Sequence, residues 1–125
     1  MTEETIVSLF QHQESKRGDK PALRTKRAGA WETVTWGEWA KRSRSIAAEL
    51  VSLGAAAGDR VAIFANTREE WVFADVGILL AGAITVPIYQ TLIGDQAAYI
   101  LDDSEAKILF AENAAFVQRI FDASP

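Results

Sequence analysis

The fold of this chain is decided by two runs of sequence, Gly58-Asp-Arg-Val-Ala-Ile-Phe-Ala-Asn-Thr-Arg-Glu-Glu-Trp71 and Ala81-Gly-Ala-Ile-Thr-Val-Pro-Ile-Tyr-Gln-Thr-Leu92. The apolar residues 61–65 are typical of a strand that is covered on both faces. Thr67 and Glu70 have the spacing of a capping box, which predicts a helix from there to about residue 81. The second run predicts another buried strand, residues 84–88, which ends in an abrupt turn.

The sequence beyond the second run continues this alternation of strand and helix. It predicts a short helix over residues 95–102, a third strand over residues 107–111 and a last helix that Asn113 caps. Strands that alternate with helices in this way predict parallel strands joined by right-handed crossovers. Residues 58–125 therefore have the pattern βαβαβα, which is half of a doubly wound sheet.

Two shorter elements are predicted near the start of the chain. Residues 5–15 have the pattern of a helix, and Gly18-Asp-Lys-Pro21 ends it. Residues 22–26 and 31–35 are the predicted strands of a hairpin around Ala28-Gly29.

An amphipathic helix follows the hairpin. Thr35 and Glu38 have capping-box spacing at its start, and Gly54 stands where a left-handed C-cap is needed. Its predicted buried face consists of Trp39, Ile46, Ala47, Leu50 and Leu53. The predicted fold class is therefore α/β: a partial doubly wound parallel sheet of three β-α units in residues 58–125, preceded by a helix, a short hairpin and a capped amphipathic helix in residues 1–57.

The composition excludes several classes of protein. The 125 residues are enough for one domain with a modest core. A formal charge of −4 does not provide the basic surface that nucleic-acid phosphates require. The chain contains no cysteine, which excludes a disulfide framework and a zinc–thiolate site and fits a reducing compartment.

A long uncharged segment, residues 76–94, has the length of a membrane-spanning helix. Because Pro87 would break a helix interior there, we predict a buried helix followed by a buried strand instead. Glu3 and Glu4 stand where a secretory signal would carry basic residues. We expect a cytoplasmic protein without a transmembrane segment, for which peripheral contact with a membrane is compatible with the sequence.

The motifs of common nucleotide-binding and catalytic sites are missing. No Gly-x-Gly-x-x-Gly follows a strand, and the sequence has no phosphate-loop lysine followed by serine or threonine. His12, the only histidine, lies on a predicted helix without an acidic or nucleophilic partner. We therefore assign no catalytic residue and no metal ligand to this chain.

Doubly wound sheets bind their ligands beyond the carboxyl ends of the strands. The loops at that edge are residues 66–67, 89–95 and 112–113. Each loop precedes a helix, and helix amino termini attract anions through their unpaired amides and the helix dipole. These loops are the candidate binding region.

A series of short segments runs through the chain: Asp19-Lys-Pro-Ala-Leu23, Thr35-Trp-Gly-Glu38, Gly58-Asp-Arg-Val-Ala-Ile63, Asn66 with Glu70-Trp71, Ala81-Gly-Ala83, Val86-Pro-Ile-Tyr89 with Thr91-Leu92, and Ile100-Leu-Asp-Asp-Ser-Glu-Ala-Lys107. In this order they resemble the amino-terminal region of long-chain fatty acyl-CoA synthetases, AMP-forming members of the adenylate-forming ligase superfamily. The segments span nearly the whole chain, and Val-Pro-Ile-Tyr favours the long-chain branch.

The resemblance implies a two-step reaction. A fatty acid and ATP, with Mg²⁺, give an acyl-adenylate and pyrophosphate, and CoA then takes the acyl group. The family's phosphate loop, ribose-binding aspartate and catalytic lysine have no counterpart in residues 1–125. We therefore expect the amino-terminal portion of the large domain of such an enzyme, inactive alone and without bound ATP, Mg²⁺ or CoA, whose fatty acid and CoA partners are those of the parent enzyme.

The resemblance also points to a position for the CoA nucleotide. By position, Tyr89, Gln90 and Thr91 in the turn after the second strand, with Arg119 on the last helix, border it. A tyrosine ring can stack on adenine, a polar turn offers amides, and arginine pairs with phosphate in bidentate fashion. Phe116 stands where some members of the family carry a second arginine.

Two other functions are compatible with the sequence. A free-standing α/β binding or interaction module would keep the fold without the chemistry, and a stop codon after Pro125 would favour it. A flavodoxin-like cofactor protein would be yellow on purification. An incomplete sheet also leaves a strand edge or face uncovered, so we expect the isolated chain to self-associate.

Overall fold

The structure is a computed structural model and describes residues 4–123. In that range the elements follow one another in the order α1 (Ile6–Arg17), β1 (Pro21–Arg27), β2 (Ala30–Thr35), α2 (Trp36–Ser52), β3 (Arg60–Phe64), α3 (Glu69–Leu80), β4 (Ile84–Ile88), α4 (Gly94–Ser104), β5 (Ile108–Ala111) and α5 (Ala114–Ala123). The predicted α/β order is confirmed from the first helix to the last.

The last three strands form a parallel sheet in the order β4-β3-β5. β3 lies at the centre, where Val61 pairs with Thr85 on one side and with Ile108 on the other. Residues 61–64 are buried. The strand that the apolar run predicts is therefore the middle of the sheet, covered as expected.

β4 is an edge strand, so the prediction of a second buried strand is wrong. Its first residue, Ile84, is 50% exposed, and Pro87 is also exposed. Proline has no backbone N–H to donate to a neighbouring strand and is therefore found at sheet edges. Residues 76–94 form the end of α3, a turn, β4 and the loop to α4. Within residues 4–123 no helix has both the length and the apolar character needed to cross a membrane.

Helices cover both faces of the sheet. One face packs against α2 and α3 in a cluster that includes Leu50, Val61, Ile63 and Ile78. The other face packs against α4 and α5 in a cluster that includes Ala62, Phe64, Ala97 and Phe116. Successive residues of β3 thus alternate between two cores, as the pleat of a strand requires.

Aromatic rings fasten α1 to the start of α2. The ring centroids of Phe10 and Trp39 are 5.0 Å apart, and Trp36 stacks on Trp39 at 5.4 Å. The Trp39 indole N–H donates a hydrogen bond to the carbonyl oxygen of Val72 at 3.1 Å. This cluster therefore ties both helices to α3.

The two helices on the first face, α2 and α3, approach each other closely at Gly77. A Cβ at this position would lie 2.6 Å from Cγ2 of Ile46 and 3.0 Å from the carbonyl oxygen of Ser43. The Ser43 hydroxyl, fully buried, donates to the carbonyl oxygen of Phe73 at 3.2 Å. A small residue and a satisfied polar group therefore form this helix contact, which a pattern of apolar residues does not reveal.

One of the two predicted capping boxes is wrong. At α2, the backbone N–H of Glu38 donates to Oγ1 of Thr35 at 3.1 Å, as expected. At α3 the N-cap residue is Arg68, whose side chain makes no capping hydrogen bond. The carboxylate of Glu70 accepts a hydrogen bond from Nε of Arg68 at 2.8 Å, so this ion pair replaces the predicted contact with Thr67.

The end of α2 also differs in one detail from the prediction. Gly54 has a φ of 96° directly after the C-cap, as expected of a helix stop. Leu53, which we predicted on the buried face, is 63% exposed. As the C-cap residue, it no longer follows the period of the helix.

Candidate functional site

The three loops predicted to form the binding region lie at one edge of the sheet. Because β3, β4 and β5 are parallel, the loops after Phe64, Ile88 and Ala111 leave the sheet on the same side. Contacts between these loops, or with α5, determine which of their backbone and side-chain groups are free to bind a ligand.

Glu112 ties the first loop to the third. Its carboxylate accepts hydrogen bonds from the backbone N–H of Asn66 at 2.9 Å and from Nδ2 of the same residue at 3.3 Å. Nη1 of Arg68 lies 3.9 Å from this carboxylate. The amide of Asn66 is therefore occupied by the protein's own carboxylate, which disfavours an anionic ligand at this loop.

A charge network surrounds the start of α3. The hydrogen bond from Arg68 lowers the pKa of Glu70 and raises the pKa of Arg68. Arg27 on β1 forms ion pairs with Glu69 and Glu70, and the Thr25 hydroxyl donates to Oε2 of Glu69 at 3.3 Å. These contacts fasten the hairpin to α3 beside a cavity of about 560 Å³ that is lined by both elements.

The second loop forms a tight turn directly after β4. The backbone N–H of Leu92 donates to the carbonyl oxygen of Tyr89 at 3.1 Å, with Gln90 and Thr91 between them. Tyr89 is 76% exposed, Gln90 is half-buried and Thr91 is exposed. The turn therefore presents an aromatic ring and polar groups at the surface.

Arg119 lies behind this turn. Its Nη1 donates to the carbonyl oxygen of Gln90 at 3.0 Å and is 3.5 Å from that of Leu92. Its Cζ lies 4.2 Å from the ring centroid of Phe116 and 5.2 Å from that of Phe64. The four predicted site residues are thus neighbours, and the described contacts of the guanidinium are with carbonyl groups and rings of the protein.

Gly94 brings the start of α4 against α5 at the same place. A Cβ at Gly94 would overlap the carbonyl oxygen of Arg119 and lie 3.1 Å from Cβ of Ala123. A larger residue would push α4 away from Arg119. Gly94 belongs to the candidate loop of residues 89–95, but the sequence alone assigns it no role of its own.

A cavity of about 290 Å³ opens between the loops after β3 and β4. Its lining consists of Ala65, Thr67, Trp71, Pro87, Ile88, Tyr89 and Gln90. Trp71 belongs to one of the family-like segments, and the sequence alone assigns it no role in the site. The structure puts Trp71 and Tyr89 in the walls of one cavity beside the predicted site.

Among the described residues, the side chains that most often bind metal ions do not cluster in threes. Within residues 4–123, no group of three His, Asp or Glu side chains is placed to hold one. His12 is exposed on α1.

Comparisons with known proteins agree with this architecture. Residues 10–124 match the family described as AMP-binding enzyme. Over 96 residues the chain is 47% identical to the long-chain-fatty-acid–CoA ligase FadD15 of Mycobacterium bovis, covering 77% of this chain and 16% of the ligase. The structure of the fatty acid AMP ligase from Legionella pneumophila superposes with a TM-score of 0.83 at 25% identity, covering 94% of this chain and 21% of that one.

A shorter protein is also similar. An uncharacterized protein of Mycobacterium tuberculosis is 34% identical over 116 residues, which cover 93% of this chain and 65% of that protein. The chain thus spans about a sixth of the length of the M. bovis ligase and most of the shorter protein.

Proposed function

The chain belongs to the AMP-binding enzyme family, and from this premise we propose that it is the amino-terminal portion of the large domain of an AMP-forming long-chain fatty acid–CoA ligase. The observation that supports the substrate class is the 47% identity with a long-chain ligase. In the proposed reaction a fatty acid and ATP form an acyl-adenylate and pyrophosphate, and CoA then accepts the acyl group.

Within such an enzyme, residues 1–125 act as scaffold and as one wall of the CoA channel. ATP, Mg²⁺ and the catalytic groups belong to the remainder of the proposed enzyme. The exposed turn of Tyr89, Gln90 and Thr91, backed by Arg119, is the proposed wall for the CoA nucleotide. The accessible Tyr89 ring and the cavity next to it support this assignment.

A chimera tests the proposed function. Residues 1–125 replace the matching segment of the M. bovis ligase, and acyl-CoA formation from a long-chain fatty acid is measured. We expect activity within about tenfold of the parent ligase, because volume-conserving changes in a matched core are tolerated well. A ligase without the segment is the control, and a folded but inactive chimera would contradict the proposal.

The isolated chain should form no acyl-adenylate, because neither a phosphate loop nor the family's catalytic lysine is found in its sequence. Pyrophosphate exchange with ATP and a panel of fatty acids measures this. Exchange above that of a buffer control would show that residues 1–125 carry catalytic groups of their own.

The proposed contact between the turn and the CoA nucleotide is tested by replacing Tyr89. In the chimera, Tyr89→Ala should raise the KM for CoA about two- to twelvefold, because a stacked aromatic contact contributes about 0.5–1.5 kcal/mol. Tyr99→Ala is the matched control, since Tyr99 is another exposed tyrosine, on α4. An equal effect of the two substitutions on the KM for CoA would remove Tyr89 from the site.

The similar M. tuberculosis protein favours a second candidate function, a free-standing α/β binding or interaction module without catalysis. That protein is short enough for this chain to cover 65% of it. The sequence downstream of codon 125 separates the two candidates. A frame that continues to a Thr/Ser/Gly-rich loop supports the ligase, and a stop codon supports the module.

We further propose a cytoplasmic location, peripheral contact with membranes and self-association of the isolated chain. The absence of cysteine supports a reducing compartment. Exposed apolar side chains such as Ile93 and Phe121 support contact with a lipid surface. Co-sedimentation of the chain with phosphatidylcholine vesicles tests the membrane contact. A chain that stays in the supernatant when the vesicles are pelleted would argue against it.

A further inference from the structure

The guanidinium of Arg119 is engaged by the protein on two sides. Along one edge it donates to the carbonyl oxygen of Gln90 and approaches that of Leu92. Across its plane it lies over the rings of Phe116 and Phe64, which pack edge to face at 4.8 Å. Cation–π contact and hydrogen bonds to carbonyl groups together hold an arginine in one orientation.

From this geometry we infer that Arg119 is a positioning residue, which sets the shape of the turn after β4 and acts on a ligand through that turn. The residues that meet the ligand are then Tyr89, Gln90 and Thr91. The identity of this ligand as CoA rests on the proposed function, whereas the control of the turn by Arg119 does not.

The contacts of the turn explain why an arginine is needed. The carbonyl groups of Gln90 and Leu92 lie two residues apart, and one Nη1 group is within 3.5 Å of both. A lysine can donate to a carbonyl oxygen but has no planar group to lie along an aromatic ring. Lysine at this position therefore keeps the charge and loses the fixed orientation.

Two neighbours of Arg119 help to fix its position relative to the turn. Phe116 supplies the ring on which the guanidinium rests, with Cζ 4.2 Å from the ring centroid. Gly94 lets α4 begin against the backbone of Arg119, and α4 is the element into which the turn leads. Both residues act on the turn without lying in it.

The test measures the turn directly in the 125-residue chain. Amide hydrogen exchange is followed at Leu92 and Ile93, whose N–H groups bond to Tyr89 and to Gln96. Arg119→Lys, Phe116→Leu and Gly94→Ala should each accelerate exchange at these amides by about tenfold. Each substitution weakens the charged hydrogen bonds from Arg119 to the turn, and a less constrained turn opens more often. Arg42→Lys, on the exposed face of α2, is the matched control.

The KM for CoA of the same variants in the chimera separates the positioning role of Arg119 from the proposal that the turn binds CoA. Phe116→Leu and Gly94→Ala should raise the KM for CoA several-fold more than the KM for ATP, although Arg119 itself is retained. Faster exchange with an unchanged KM for CoA supports the positioning role and removes CoA from the turn.

Unchanged exchange in all three variants overturns the positioning role. A KM for CoA that rises only when Arg119 is replaced would then identify a direct contact between the guanidinium and CoA. Because Phe116→Leu and Gly94→Ala leave the arginine in place, a variant that fails to fold does not remove the test.

Discussion

The carboxylate of Asp59 closes the turn that leads into β3. Oδ2 accepts a hydrogen bond from the backbone N–H of Ala56 at 2.7 Å and lies 3.1 Å from Nζ of Lys107. The hydrogen bond from Ala56, and then the contact with Lys107, lower the pKa of Asp59. An acidic residue of the family-like segment Gly58–Ile63 therefore has a structural role.

Asp59→Asn should destabilise the chain most at neutral pH. A carboxyl group whose pKa is lowered in the folded state stabilises it above the unfolded pKa, about 3.9, and this contribution is lost as the pH falls through the folded pKa. The difference in unfolding free energy between the two chains should therefore shrink on acidification. Urea unfolding at pH 7 and at successively lower pH below the unfolded pKa measures it.

Lys107→Gln provides the comparison for this prediction. Because the hydrogen bond from Ala56 is the larger cause of the low pKa, removing only the lysine should have a smaller effect than Asp59→Asn. A larger effect of Lys107→Gln would show that the ion pair dominates.

The starts of the helices show how far local sequence determines an element. Thr35 and Asn113 have the spacing of caps and do cap α2 and α5; the Asn113 side chain accepts from the backbone of Ala115 and Phe116 at 3.0 and 3.2 Å. Thr67 has the same spacing to Glu70, but an ion pair between Arg68 and Glu70 replaces the box. The pattern predicts where a helix begins, and neighbouring charges decide which groups cap it.

Replacing each threonine by alanine tests this difference. Thr35→Ala should lower the unfolding free energy by about 1 kcal/mol, the usual effect of removing a cap. Thr67→Ala should change it by less than about 0.5 kcal/mol, as expected for a surface substitution. Thermal unfolding by circular dichroism compares the two variants, and equal losses of stability would indicate that Thr67 caps α3.

Contacts between elements are what the sequence predicts least well. The order of elements and the three site loops follow from apolar runs, caps and turn residues. The contact of Gly94 with Arg119 and that of Gly77 with Ile46 join residues that are 25 and 31 positions apart in the chain. No local pattern contains such contacts, so the surroundings of Arg119 become visible only in the assembled fold.

The two edges of the sheet differ in their capacity to pair. β4 carries Pro87, which lacks an N–H group, whereas β5 consists of Ile108, Leu109, Phe110 and Ala111. An apolar edge strand without proline or charge is a template for pairing with another chain. If two copies paired antiparallel through β5, with Leu109 opposite Phe110, Lys107 of one copy would face Glu112 of the other. We therefore place the proposed self-association at β5.

A lysine on either edge distinguishes the two surfaces. Ile108→Lys should make the isolated chain monomeric, because an inserted charge blocks edge pairing. Ile84→Lys is the matched control on β4, and this variant should associate like the original chain. Light scattering over a range of micromolar concentrations measures the mass, and a monomeric original chain would contradict the proposal.

The strand order β4-β3-β5 also determines when each strand can pair during synthesis on the ribosome. β3 ends at Phe64 and its second partner begins at Ile108, 44 positions later. At about 5–20 residues per second, one side of the most deeply buried strand waits about 2–9 s for its neighbour to emerge. During that interval the edge of β3 that later pairs with β5 is uncovered. β3 is therefore the segment that we expect a ribosome-associated chaperone to bind.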